Sequence, residues 1–314
     1  MPTLEENPED LIALSLVEGA GRKTLHAARR MAMRQRRALS SFFSVPLADL
    51  LPLAAPGESG AAEALSRCGA QEQFRAAWMM SAARDSAIRV VLSGAPDYPK
   101  YLVHPLGNQA PPLLFILGNE ALLESPGAGI VGTRHPTGEG TDIAIAAARL
   151  FAEEGIPVVS GGARGIDQAA HHAALKADGS TVAIVPEGLQ SYEPPDFIRT
   201  GMDRGQVLLV SEYLPTDGWH THRAMTRNRT IAACSSLVCV IEPKEKGGSM
   251  FTAEQALEQG RTVFYWGGAC RDGALRDRNG AYRLTDARGK LQKAALLHAA
   301  QRKADAPEQI GLFD

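Results

Sequence analysis

Four short segments of this chain combine glycine, a hydroxyl or amide side chain, and arginine in patterns suited to holding phosphates. The first is GIVGTR at 129–134, where an apolar stretch ends at Gly132 and Thr133 and Arg134 follows. Backbone amides beside a glycine approach a ligand closely, and an arginine at a strand exit can fork onto a phosphate. The second, SGGARGID at 160–167, carries Ser160, Gly161, Gly162, Arg164 and Gly165 between a strand-like and a helix-like stretch. The N–H groups at such a helix start face an anion. The third is Arg227-Asn228-Arg229, two cations flanking an amide, with His220, His222 and Arg223 just upstream. The fourth, GGSMFTAE at 247–254, is a glycine–serine turn with Gly248 and Ser249 opening a helix.

What these segments lack narrows the chemistry. No Gly-Lys-Ser/Thr follows the glycines, so they are no P-loop, and the spacing is not the dinucleotide fingerprint Gly-x-Gly-x-x-Gly. Asp167 and His171 lie four apart and share a helix face. No third ligand completes a metal site beside them, and Asp167 is expected to cap or orient the glycine loop with His171 packed next to it. The four cysteines show no CxxC spacing, which argues against a zinc knuckle or a disulfide framework. Phosphate binding without nucleotide hydrolysis, cofactor, metal or catalytic residue is the expectation.

The elements that must position these residues follow from hydrophobic rhythm. Apolar strand candidates at 128–131, 157–160, 181–185, 207–211, 237–241 and 262–265 alternate with helical stretches at 141–154, 166–177, 226–233 and 252–259. Short β-branched strands between helices predict an α/β, Rossmann-like doubly wound, mainly parallel sheet. In such folds ligands sit beyond the carboxyl ends of the strands, where the four segments fall. Two further strands are expected at 88–92 and 113–117, with an irregular stretch between them. Residues 8–85 read as a small all-helical domain: apolar residues at 11, 12, 14 and 16, the turn Gly19-Ala20-Gly21, apolar positions at 25, 28 and 31, and a second helical stretch at 61–84. Arg22, Lys23, Arg29 and Arg30 beside that turn either contact a nucleic-acid backbone or form a solvated face of a packing module. The domain boundaries expected are 8–85, 86–268, and a basic extension with a flexible tail over 269–314.

Composition sets limits on partners. The chain has 314 residues, 45% of them hydrophobic, with 33 Lys and Arg against 35 Asp and Glu. Any polyanion must therefore be bound by a local site. The acidic opening residues and the lack of a long apolar run point to a cytoplasmic protein without a membrane span.

Taken in order, GIVGTR, SGGARGIDQAAHHAAL, SEY at 211–213, RNRTIAACS and GGSMFTAEQALEQGR resemble the DNA-processing protein A family, also called Smf. The resemblance extends to Asp97-Tyr98-Pro99, PPLLFILGN and the N-terminal LIALSLVEGAGRKTL, covering about residues 10–268. It implies a helical SAM-like or helix-hairpin-helix-like N-terminal module, single-stranded DNA binding, homodimerisation through the Rossmann domain, and loading of a RecA-type recombinase. By motif position Arg134, residues 161–165, Arg227 and Arg229 would line the DNA groove. The family's Phe-Pro before its RN pair is Ala224-Met225 here, which leaves base stacking unaccounted for. A partial likeness of GGSMFTAE to the LOG family of nucleotide-processing enzymes gives the alternative, a nucleotide hydrolase with Glu254. At the C-terminus, Gln309, Leu312 and Phe313 resemble the short peptide that binds the replicative sliding clamp, which would make the chain a DNA-to-clamp adaptor.

Overall fold

The computed structural model describes residues 6–267 and 275–301. Two compact units appear: residues 6–98 with Gly107–Phe115, and Pro99–Leu106 with the described residues from Ile116 onward.

The first unit is helical. Helices α1 (Pro8–Ser15), α2 (Arg22–Gln35), α3 (Leu47–Leu50), α4 (Ser59–Arg67) and α5 (Ala70–Asp85) precede strand β1 (Arg89–Leu92). Asn7 caps α1 by accepting from Glu9 N at 3.0 Å, with Pro8 in the first turn where no backbone donor is needed. The stretch read as one helix over 61–84 is two: Gly69 starts α5, its N–H donating to Glu72 Oε2 at 2.8 Å. Leu11, Ile12, Leu14, Leu25, Met31, Phe42 and Leu65 form the buried core.

The arginines near the glycine turn serve this unit's own packing. Arg29 is 1% exposed and bonds Glu6 and Ser93. Arg22 donates to Gln109 O at 2.9 Å, and Arg30 pairs with Glu58 at 3.1 Å. Of the two readings open for this cluster, the packing module describes Arg22, Arg29 and Arg30.

Strand β2 (Leu113–Gly118) leads into the second unit, which also contains α6 (Lys100–Leu106) inside the stretch expected to be irregular. Then follow β3 (Gly127–Gly132), α7 (Gly138–Glu153), β4 (Val158–Ser160), α8 (Ile166–Lys176), β5 (Thr181–Val185), α9 (Asp196–Asp203), β6 (Val207–Ser211), α10 (Thr221–Ala233), β7 (Ser235–Ile241), α11 (Gly248–Glu258), β8 (Thr262–Trp266), β9 (Ala281–Arg283) and α12 (Lys293–Gln301). Within this unit the strand order is β6-β5-β4-β3-β7-β8-β9, every pair parallel. Ala128, Ile130, Leu237, Cys239 and Phe264 point to a core closed by Ala147 and Phe151 of α7, Ala170 of α8 and Leu296 of α12. Helices α10 and α11 pack on β7 and on each other. The sheet is thus a doubly wound Rossmann-like α/β fold. Its strand order reverses between β3 and β7, which directs ligands to the loops at the carboxyl ends around β3.

Residues 281–301, part of the stretch expected to be a basic extension, carry β9 and α12. Leu284 and Leu296 are fully buried. A three-residue strand is too short to show alternation, and the charges around it concealed two core positions.

Candidate functional site

The loops after β3, β4, β5 and β6, with helix α10, line an open pocket of about 180 Å³ formed by Arg134, Gly161, Gly162, Ala163, Arg164, Pro186, Glu187, Tyr192, Trp219 and Arg227. Glycine is required where two of these loops meet. Gly165 has φ +84°, and a Cβ there would lie 2.4 Å from the Thr133 carbonyl oxygen. Ile166 N then donates to the same Thr133 oxygen at 3.2 Å, fastening the start of α8 to the exit of β3 and so placing Arg134 beside the glycine loop. Gly132 has a different reason: a Cβ would stand 2.3 Å from Ile241 O and 2.6 Å from Ile166 Cγ1, so it allows β3, β7 and α8 to pack.

Arg227 lies directly under the loop. A Cβ on Gly161 would be 2.0 Å from its Nη1, which donates to Ile184 O at 2.6 Å. Arg227 is 5% exposed, and its guanidinium is acted on by the carboxylates of Asp167 and Glu187. Asp167 anchors the loop from inside, with Oδ2 accepting from Gly161 N at 3.1 Å and a further bond from Ala163 N. The amides expected to face a ligand at Gly161 and Ala163 are therefore bonded to the protein's own carboxylate. Burial pushes the Asp167 carboxyl up, opposed by the charge of Arg227 and by these N–H donors.

His171 is fully enclosed one turn on. Thr181 Oγ1 donates to Val158 O at 2.6 Å, so its contact with His171 Nδ1, also 2.6 Å, has the imidazole N–H donating. Burial, with Arg227 nearby, lowers the His171 pKa to about 3 and keeps the ring neutral. Burial raises the Tyr192 hydroxyl to about 12 and raises the Glu187 carboxyl against the pull of Arg227.

At the mouth the groups are exposed. The Arg134 guanidinium stands 5.9 Å from the ring centroid of Trp219, which is 48% exposed. This geometry suits a cation–π contact. Trp219 lies on the loop before α10, five residues before Ala224. His220 and His222 stack on each other next to it at 5.5 Å, and Arg223 is held by Asp217 at 3.1 Å. The β3–α7 loop is fixed on its far side by Glu242, whose carboxylate accepts from Thr137 N at 2.9 Å and from the Thr137 hydroxyl. That carboxylate occupies the N-terminus of α7.

The structure thus gathers Arg134, Gly161, Gly162, Arg164 and Arg227 around one pocket, with Gly132, Thr133 and Gly165 shaping its walls. Ser160 is fully buried and does not line the pocket; its hydroxyl lies against Ile130 O and the Asp167 carboxyl, so it helps hold the loop from within. The expected Arg227-Asn228-Arg229 clamp is divided. Successive helix positions turn by about 100°, so Arg227 points under the glycine loop while Arg229 lies over Phe251 of α11 at 5.7 Å. Asn228 Nδ2 donates to Gly248 O at 3.0 Å, tying α10 to the start of α11. Gly248 and Ser249 belong to that second junction and do not line the pocket. Gln309, Leu312 and Phe313 lie outside the described residues. Among the described residues no group of three or more His, Cys, Asp or Glu could hold a metal, and no helix is long and apolar enough to cross a membrane.

Comparison with known proteins gives a consistent picture. The family model described as DNA recombination-mediator protein A matches residues 89–295. DNA processing protein DprA of Bacillus subtilis is 35% identical over 189 residues, 59% of this chain and 63% of the relative's own length. Among solved structures, DNA processing protein A of Streptococcus pneumoniae superimposes with a TM-score of 0.67 at 25% identity, covering 87% of this chain and 91% of the other. DNA processing protein A of Helicobacter pylori, described for its unique single-stranded DNA binding mode, gives 0.57 at 26% identity, covering 68% and 97%.

Proposed function

This chain belongs to the DNA recombination-mediator protein A family, and from that premise we propose that it binds single-stranded DNA in the pocket at the carboxyl ends of β3, β4 and β5. The observation that carries this reading is the juxtaposition of Arg134 and the exposed Trp219 beside the glycine loop. A backbone phosphate calls for cations, and Arg134 and Arg164 supply them at the surface with Arg227 below. A base calls for a flat apolar face, which Trp219 supplies. Stacking on that ring needs a base free of its own neighbours, so a single strand fits where a duplex does not. The resemblance to DNA processing protein A of Helicobacter pylori supports the same ligand.

Intrinsic fluorescence tests it. The chain has three tryptophans, of which Trp266 is buried in β8 and Trp78 lies on α5 of the first unit. Titration with a single-stranded oligonucleotide is expected to quench the emission, and Trp219→Phe is expected to abolish most of the quench and weaken binding. Quenching that persists in Trp219→Phe places the strand elsewhere.

On this reading the protein is a mediator that turns nothing over. Assembly as a homodimer, loading of a RecA-type recombinase onto the bound strand, and contact with the sliding clamp through Gln309, Leu312 and Phe313 complete the proposal. Pull-down of the clamp by wild type but not by Leu312→Ala/Phe313→Ala tests the last. The nucleotide-hydrolase alternative rested on Glu254, which is exposed on α11 and does not line the pocket.

A further inference from the structure

The pocket contains a group that phosphate binding does not use. Arg134, Arg164 and Arg227 attract an anion, and a carboxylate among them opposes one. Two carboxylates nevertheless flank Arg227. Asp167 is engaged, since it holds the loop through Gly161 N. Glu187 is not. It follows β5, lines the pocket, and among the described residues no hydrogen bond reaches its carboxyl, with Oε2 buried and unpartnered. The nearby Tyr192 hydroxyl lies 3.2 Å from where a Cβ on Gly162, at φ +71°, would stand, so the bare glycine keeps room in this corner. An unused acceptor and a phenol beside an exposed indole are of no service to a phosphate. They are what a nucleobase requires: a face to stack on and an edge to read.

We propose that this pocket selects the base it holds, the Glu187 carboxylate accepting a hydrogen bond from an exocyclic amino group, so that cytosine- or adenine-bearing strands are preferred over thymine. The inference rests on the single-strand reading above. Thymine presents a carbonyl oxygen where cytosine presents an amino donor. A carboxylate set against a carbonyl repels it, so the discrimination has an attractive and a repulsive part. The ionised carboxyl only accepts, whereas its protonated form gains an O–H that donates to the thymine carbonyl and so narrows the discrimination. The groups acting on it are the Arg227 guanidinium and the Tyr192 hydroxyl, with Arg134 and Arg164 across the pocket. Burial already raises its pKa, and the preference therefore narrows as pH falls.

Fluorescence anisotropy with labelled oligo-dC and oligo-dT of equal length, on the full-length chain, tests this. At about pH 8 the wild type is expected to bind oligo-dC roughly three- to tenfold more tightly, the worth of one good hydrogen bond. The ratio falls towards one in Glu187→Ala and returns in part in Glu187→Gln, whose amide oxygen still accepts. Equal wild-type affinity for the two oligonucleotides overturns the inference and leaves the single-strand reading intact, as does a ratio that survives Glu187→Ala in a folded variant. Failure of both oligonucleotides to bind overturns this inference and the single-strand reading together. The first comparison needs no variant, so an unstable mutant cannot rescue the idea.

Discussion

Arg134 and Arg227 both line the pocket, yet their surroundings give them opposite expected phenotypes. Arg134 is exposed, so Arg134→Ala should leave stability within about 0.5 kcal/mol while weakening oligonucleotide binding. Arg227 is enclosed with Asp167 and Glu187, and its removal leaves a buried carboxylate without its counter-charge. Arg227→Ala should cost on the order of 3–5 kcal/mol of stability in urea denaturation; an unchanged midpoint would contradict this placement. Sequence reasoning grouped the two as equivalent phosphate ligands because residue type and loop position were all it had. Asp167 holds the glycine loop as its place beside that loop in the sequence suggests. Trp219, Glu187 and Tyr192 were not legible, because loops whose path depends on tertiary packing bring them to the pocket.

His171 gives a second expectation at the residue scale. Its pKa is lowered by burial to about 3 from an ordinary value of 6.5. The unfolded chain therefore binds a proton that the folded chain refuses between these values. Stability rises with pH through that window and is lost as pH falls from about 6.5 towards 3, by up to about 1.4 kcal/mol per unit. His26 in the first unit is also lowered, chiefly by burial, and contributes in the same direction to wild type and variant alike. Between about pH 7 and 5 the wild type should lose on the order of 2 kcal/mol more than His171→Gln. Parallel pH profiles for the two proteins would refute the assignment of a buried neutral imidazole.

At the scale of elements, the site depends on how the loops after β3 and β4 are joined. Gly165→Ala forces a Cβ onto the Thr133 carbonyl at a positive φ, and should cost more than 1 kcal/mol together with most oligonucleotide binding. Gly138→Ala, in the first turn of α7 with open space around it, is the matched control and should be near neutral. Equal thermal shifts in the two variants would show that the junction is not constrained as described. Most of this scaffold was legible in the sequence. The expected strands at 181–185 and 207–211 are β5 and β6 to the residue, and the helix at 166–177 differs from α8 by one residue. Buried parallel strands announce themselves as near-continuous apolar runs. α6 and β9 did not, being short elements with Pro105 inside one and only three residues in the other.

At the scale of the whole molecule, a formal charge of −2 rules out binding driven by bulk charge, so affinity must come from a few placed cations. The central claim is that Arg134 and Arg164 meet phosphates of a single strand at this pocket. The most direct measurement is the salt dependence of oligonucleotide affinity for the wild type and for Arg134→Ala/Arg164→Ala. Each phosphate contact on a single strand contributes about 0.7 to the slope of log affinity against log salt. The double variant should therefore lose up to about 1.4 of that slope along with affinity, while its unfolding midpoint stays put. A variant that binds with the wild-type slope and affinity would place the strand elsewhere on the protein.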